Sequence, residues 1–159
     1  MIIALGTDHS GFALKSELTE YMESIGIRII DHGAYTPERI DFPDIARLVC
    51  ESVRKGEADR GMMLCGSGLG ACIAANKIPG IRAAVCHDVY SAHQGVEHDD
   101  VNVLCLGGKI IGPWHAKDII SAFVNAKFST DTYFRQRLQK LDQLELDYAR
   151  EWVRRNDVP

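Results

Sequence analysis

Residues 59–78 read DRGMMLCGSGLGACIAANKI, and the fold turns on how this stretch is parsed. Met62, Met63 and Leu64 form an apolar run that meets a glycine-dense turn, Gly66-Ser67-Gly68-Leu69-Gly70. Beyond the turn, Ala71, Ile73, Ala74 and Ala75 are good helix formers with a small-residue face. That order predicts a buried parallel strand, a tight turn, and a helix that begins at the turn. Glycines let a backbone come close to a ligand, and free N–H groups at a helix start attract an anion. Cys65 stands at the strand's end beside this turn, a place where a thiol can serve as base or nucleophile.

Three known chemistries use stretches of this kind. A cysteine phosphatase loop needs Cys-x5-Arg so that a guanidinium can fork onto phosphate, and the residue six after Cys65 is Ala71. A Walker loop needs Gly-Lys-Ser/Thr, and the turn holds no lysine. The dinucleotide fingerprint fits as Gly66-x-Gly68-x-x-Ala71, with Asp88 as a ribose-binding acid, although it sits in the third strand–helix unit rather than the first. A glycine turn next to a buried, inert cysteine is the plain structural alternative.

Composition narrows the classes. The 159 residues suit one domain over 1–159; hydrophobic residues make up 46% and charged residues 25%, ordinary for a soluble globular chain. The net charge is −4, the pI is about 5.8, and no basic run invites nucleic acid. No apolar segment reaches the roughly 18 residues of a membrane span. Met1 runs straight into Ile2-Ile3-Ala4-Leu5-Gly6, so no leader peptide is expected. Cys50, Cys65, Cys72, Cys86 and Cys105 are odd in number and lie in apolar contexts, which suits reduced thiols in a cytoplasm. There is no C-x-x-C pair and no H-E-x-x-H, so neither a metal nor another cofactor is expected.

In chain order, Ile2 to Thr7 reads as a first buried strand, followed by a helix carrying Leu14, Leu18, Tyr21, Met22 and Ile25 and closed by Gly26. Ile27 to Ile30 is a second strand; the loop AYTPERIDFPD then leads to a helix from about Pro43 to Lys55. Strand four is expected at Arg82–Cys86 with a helix to about Gly95, strand five at Val101–Leu106, and a helix opens at Pro113. Such alternation gives a three-layer α/β/α, Rossmann-like sandwich around a five-stranded parallel sheet, with its ligand crevice at the carboxyl ends of the strands. Asp8, His9, Cys65, Ser67, His87, His98 and Lys109 are expected to gather there, each alternatively a loop or helix-capping residue. A long helix from Thr132 to about Val153 stands outside the series, its Leu138, Leu141, Leu144, Tyr148 and Trp152 forming an apolar stripe. It either covers the sheet or embraces a second subunit, and a homodimer is expected, with a tetramer as a further option.

Four ordered segments, GTDHSGFALK, YTPERIDFPDIA, CGSGLGACIAANKIPGIRAAVCHD and VEHDDVNVLCLGGKIIG, resemble the type B ribose-5-phosphate isomerases and the galactose-6-phosphate isomerase subunits. The resemblance runs over residues 2 to about 147 and implies a metal-independent aldose–ketose isomerase working through an enediol(ate). It puts Cys65 where the family has the base that moves a proton between C1 and C2. Gly66, Ser67, Gly68, Leu69 and Gly70 fall where the substrate oxygens and the enediolate are held. Asp8 matches a residue for sugar hydroxyls, His9 one reaching the phosphate end, and His98 the histidine that opens the ring. It further implies that His98 and the later basic residues, Arg135 and Arg137 among them, enter the site from a neighbouring subunit, with Asp99 a further substrate contact. The chain departs from the family pattern at His98-Asp99-Asp100, usually His-Asn-Asp. Lys109 stands where arginine is usual and Phe42 where tyrosine is frequent. Tyr133-Phe134-Arg135-Gln136-Arg137 replaces Arg-His-x-x-Arg, so only Arg137 is retained and Arg135 is left to compensate. The proton-transfer half is intact and the phosphate half is thinned. Ribose 5-phosphate is the expected substrate; another sugar or sugar phosphate, or a non-catalytic nucleotide or sugar-phosphate module, are the alternatives.

Overall fold

The computed structural model describes residues 1–156; the last three residues of the expected 1–159 domain lie outside the described residues. The elements run β1 (Ile2–Thr7), α1 (Phe12–Ser24), β2 (Arg28–Asp31), α2 (Phe42–Arg54), β3 (Arg60–Cys65), α3 (Leu69–Ala75), β4 (Ala83–Val85), α4 (Val89–Asp99), β5 (Val103–Gly107), α5 (Pro113–Asn125) and α6 (Thr132–Asn156). The five strands form one parallel sheet in the order β2-β1-β3-β5-β4, with Thr7 paired to Leu64 and Cys65 to Gly107. From β1 the chain steps outward to β2, then crosses back to β3 on the other side. The crevice of such a sheet opens where the winding reverses, at the carboxyl ends of β1 and β3.

Alternation along the central strands sends side chains into two cores. Ile3, Leu5, Met62, Leu64, Leu104 and Leu106 pack under α1, α4 and α5 with Leu18, Met22, Val96, Ile119, Ile120 and Phe123. Ala4, Met63, Cys65, Val103 and Cys105 pack under α2 and α3 with Ile45, Val49, Ala71 and Ala75. The three-layer expectation therefore holds. Gly6 is where α2 approaches β1 most closely, since a Cβ there would lie inside contact distance of Ile45 Cγ2 and 2.6 Å from Val49 Cγ2.

Boundaries move by a residue or two, and α4 by more: it was expected to end near Gly95 but continues to Asp99. Gly95 stays helical because its bare Cα faces Val101, whose Cγ2 lies 3.2 Å from where a Cβ would stand. The helix closes one turn later on Asp100, at φ 50°, with Asp100 N–H donating to the Val96 carbonyl (3.1 Å) and Val101 N–H to the Gly95 carbonyl (3.0 Å). The Arg82 guanidinium holds the Asp100 carboxylate at 2.6 Å. At 25 residues, α6 contributes nothing to either core among the described residues. It lies by the amino ends of the strands, where Gly80 N–H donates to Glu145 at 2.8 Å, and leaves Leu141, Leu144, Tyr148 and Trp152 exposed.

The five thiols are free. Burial pushes Cys50 up to about 12, and burial with the nearby Asp88 charge pushes Cys86 up to about 11. Cys105 is held well above the ordinary value, first because it donates to Cys72 and then by burial. Cys72, half-buried on α3, moves the other way, from 9.0 to about 7; the Cys105 hydrogen bond outweighs its burial, helped by Val85 and by Asn76, whose Nδ2 is 3.4 Å from the sulfur.

Two outcomes follow from this packing. Gly6→Val forces α2 off β1 and is expected to cost about 1–3 kcal/mol, read as a lower urea midpoint at unchanged slope. Iodoacetamide mapping of the native protein is expected to label Cys72 ahead of Cys50, Cys86 and Cys105, with a rate that rises through pH about 7, where its thiolate forms.

Candidate active site

β3 delivers Cys65 to the crevice, and the turn that follows bends back on it. Gly68 N–H donates to Cys65 Sγ at 3.1 Å. Gly68 does so in the left-handed region, φ +80°, where a Cβ would also come 3.2 Å from Val85 Cγ1 and 3.3 Å from the Cys105 carbonyl oxygen. The helix beginning at Leu69 has only seven residues, so the field at this turn comes from local N–H groups more than from a long helix dipole. Ser67 Oγ accepts weakly from Leu69 N–H at 3.4 Å, and its own proton remains to donate. The turn after β5 clamps this one: Gly108 N–H donates to the Cys65 carbonyl at 2.7 Å and Lys109 N–H to the Gly66 carbonyl at 3.0 Å.

β1 brings Asp8 to the same edge. The residue is 7% exposed, and its Oδ1 accepts from Ser10 N–H at 2.7 Å and Gly11 N–H at 3.1 Å. His9 beside it is exposed. Ser10 reaches toward Gly66, its Cβ 3.4 Å from the position a Gly66 Cβ would take, and the Lys109 stem passes 3.8 Å from that point. Phe42, first residue of α2, brings the tip of its ring against Gly70, with Cζ, Cε1 and Cε2 3.0–3.3 Å from where a Cβ would sit. Asp8, His9, Phe42, Cys65, Gly66, Ser67, Gly68, Leu69, Gly70 and Lys109 thus share the carboxyl edge. Asp88 is engaged elsewhere: it caps α4, accepting from Ser91 N–H (2.7 Å) and Ser91 Oγ (2.6 Å), which holds it below the usual carboxylate range.

Lys15 was missed by the sequence reading. Its ammonium donates to the Ala34 carbonyl at 2.8 Å, pairs with Asp31 at 2.7 Å and lies 4.8 Å from the Tyr35 ring centre, so it fastens the loop after β2. Thr7 N–H to the Gly33 carbonyl and Ala34 N–H to the Thr7 carbonyl, both 2.7 Å, tie that loop to the residue before Asp8. The available signal was a lysine at the inward spacing of Leu18 and Met22, a position that demands a buried partner.

His98 corrects the expectation of a single cluster. It sits in the last turn of α4, and α4 runs back from the carboxyl edge, so His98 lies at the amino edge, away from its own chain's Cys65. There its ring stacks on Phe134 with centroids 4.2 Å apart, and Nε2 is 3.7 Å from Glu97 Oε2. The carboxylate reaching it is Glu97; Asp99 is exposed and Asp100 belongs to Arg82. Arg135 lies over Phe128 at 5.5 Å and Arg137 over Tyr133 at 4.5 Å, both in the first two turns of α6. The sequence-derived set therefore divides into two patches at opposite edges of the sheet. A groove of about 840 Å³ between α4 and α5, lined by Val89, Tyr90, His93 and Asp118 among others, contains neither patch.

Known proteins resemble this chain in both sequence and fold. The Ribose/Galactose Isomerase family model covers residues 3–141. Ribose-5-phosphate isomerase B of Escherichia coli is 41% identical over 143 residues, 90% of this chain and 95% of that protein. D-erythrulose-4-phosphate isomerase of Pectobacterium atrosepticum is 41% identical over 128 residues, 79% of this chain and 84% of the relative. The structure of Clostridium thermocellum ribose-5-phosphate isomerase B superposes with a TM-score of 0.90 at 42% identity, covering 93% of this chain and 99% of that one. Matched in sequence and fold over most of its length, the chain belongs to the ribose/galactose isomerase family and is one of its sugar-phosphate isomerases.

Proposed function

We propose that the enzyme interconverts ribose 5-phosphate and ribulose 5-phosphate through an enediolate, with Cys65 as the base. The observation that carries this reading is the contact between Cys65 Sγ and Gly68 N–H, a buried sulfur held at the carboxyl edge by the turn that would hold the substrate. In the aldose-to-ketose direction the Cys65 thiolate takes the proton from C2 and returns it to C1, while a hydroxyl proton passes from O2 to O1. The turn's backbone N–H groups other than those of Gly68 and Leu69, together with the Ser67 hydroxyl, receive the oxygen on which charge develops, where fixed donors stabilise the enediolate more than the substrate. Asp8, fixed by two backbone N–H groups, receives the sugar hydroxyls, with His9 and Lys109 toward the phosphate.

The second patch completes the site from a neighbouring copy. His98 is the ring-opening acid–base, Arg135 and Arg137 are phosphate cations, and Asp99 lies at their rim; a homodimer in which carboxyl edge meets amino edge builds two such sites, and a tetramer would need other faces to join. Support comes from the uncovered apolar stripe of α6 and from Leu69 and Ile73, exposed beside the glycine turn. On this reading residues 1–159 form one isomerase domain with α6 at the subunit interface. Phe134, where the family pattern has histidine, holds the His98 ring by stacking instead of adding a cation.

A second reading changes only the sugar. The relatives acting on ribose 5-phosphate and on D-erythrulose 4-phosphate are equally similar, at 41%. Lys109 as a point charge and Phe42 as a hydroxyl-free wall are the residues that would tune that choice. The nucleotide-module alternative loses its ribose acid, because Asp88 is spent on capping α4.

Cys65→Ala is expected to lower kcat by about 10²–10⁴-fold with the melting temperature nearly unchanged, and full turnover in that variant would remove the thiol from the mechanism. Shared sites are tested by complementation. Cys65→Ala and His98→Asn chains, each inactive alone, are expected to regain activity when co-expressed, since the mixed dimer holds one intact site; no recovery in a verified mixed dimer would place both residues within one chain's site. Comparing kcat/KM for tetrose, pentose and hexose phosphates and their free sugars is expected to rank ribose 5-phosphate first.

A further inference from the structure

We propose that His87 is a positioning residue for the isomerisation, its imidazole serving as the hydrogen-bond acceptor that holds the turn after β5 against the glycine turn around Cys65. β4 is an edge strand of only three residues and pairs with β5 from Val103 to Cys105. β5 continues to Gly107, so the Gly107 N–H points past the end of its neighbour strand. His87 Nε2 takes that hydrogen bond at 3.0 Å, in the place a carbonyl of a longer β4 would occupy. A backbone N–H has only a proton to offer, so Nε2 is the bare nitrogen, and the ring is neutral with its proton on Nδ1. The His87 main chain is braced too: His115, in the first turn of α5, donates from Nε2 to the His87 carbonyl at 2.8 Å.

Gly107 has no slack with which to absorb a loss of this contact. A Cβ on it would fall 2.8 Å from the Ser67 carbonyl carbon and 2.9 Å from its oxygen, so the Gly107 and Ser67 backbones already touch. The next two N–H groups, of Gly108 and Lys109, hold the carbonyls of Cys65 and Gly66. Ser67 leads directly into Gly68, whose N–H rests on the sulfur. His87 is thereby joined to Cys65 by backbone contacts alone, and an acceptor missing at position 87 leaves a buried N–H that draws Gly107 away in search of another partner. The neighbouring titratable groups are otherwise occupied: Asp88 on Ser91, and His115 on the carbonyl already named.

This inference rests on the reading of Cys65 as the proton carrier. Its test is steady-state kinetics of the full chain with whichever sugar phosphate the wild type turns over fastest, on His87→Gln and His87→Leu, with circular dichroism and melting temperature recorded for each. Glutamine places an amide oxygen near the position of Nε2 and is expected to stay within about threefold of wild-type kcat, whereas leucine, similar in bulk with no acceptor, is expected to lose roughly tenfold or more in kcat while KM changes by less than about threefold. A sugar-phosphate hydroxamate, which resembles the enediolate, is expected to bind His87→Leu more weakly in proportion to the loss in kcat. If His87→Leu keeps wild-type kcat per folded molecule, or if both variants lose equally, the proposal is overturned; His87→Ala replaces leucine, with the same two outcomes, should leucine prevent folding. Cys65→Ala, assayed alongside, judges the proton-carrier reading separately, because the glutamine–leucine contrast does not depend on that variant.

Discussion

The sulfur of Cys65 is held by one backbone N–H, that of Gly68, and the rest of the chain can be understood as the means of keeping that pair together. Only glycine takes the left-handed conformation at Gly68 without strain, and only a residue without a side chain fits between Val85 and the β5 backbone there. The turn would be free to swing if β3 ended in solvent. It does not swing, because β5 runs alongside as far as Gly107 and its terminal turn donates back to Cys65 and Gly66. Parallel pairing in the order β1-β3-β5 is thus what converts a flexible glycine-rich loop into a rigid edge, and a rigid donor set is what stabilises charge without reorganising.

The same topology explains why Asp8 and Cys65 share one edge of the sheet. Winding reverses between β1 and β3, so the loops that leave those strands depart in opposite directions and open a cleft between them. Asp8 cannot drift from that cleft, since its Oδ1 accepts from the Ser10 and Gly11 N–H groups at the start of α1. Lys15, one turn further along α1, fastens the loop after β2 to the same helix. Charge buried at the inward face of α1 therefore acts as a structural tie, with Asp31 and a carbonyl meeting the demand that burial creates.

Much of this was legible from residue order. The run from Met62 to Leu64 followed by three glycines and a small-residue helix specified strand, turn and helix in their right places, because apolar period and glycine density are local signals. The five-stranded parallel sheet followed from alternation alone. What was not legible depended on direction and on distance. Gly95 looked like a helix end and proved to be a packing site for Val101. His98 lies close in sequence to β5 and was grouped with the ligand edge, yet a helix that returns antiparallel to its strand delivers its last turn to the far edge. His87 read as a possible substrate contact, and the geometry gives it a backbone N–H instead.

Separation of the two patches carries a physical consequence of its own. A cysteine base and a cluster of arginines within one chain's cleft would raise a strong field in the unliganded protein and need filling by solvent ions. Here Arg135 and Arg137 rest on the aromatic rings of Phe128 and Tyr133 at the amino edge, and His98 is stacked on Phe134, so each of these three side chains is oriented by a neighbouring ring. Orientation by stacking, unlike orientation by salt bridges, does not use up the hydrogen-bond donors of the two arginines. An aromatic-braced cationic patch lies on one edge and an amide-braced sulfur on the other, and the proposed site needs both. On the proposed dimer, joining the two edges makes the assembly of the subunits and the assembly of the site a single event, so that the Cys65 thiol meets the arginines only in a cleft closed to water.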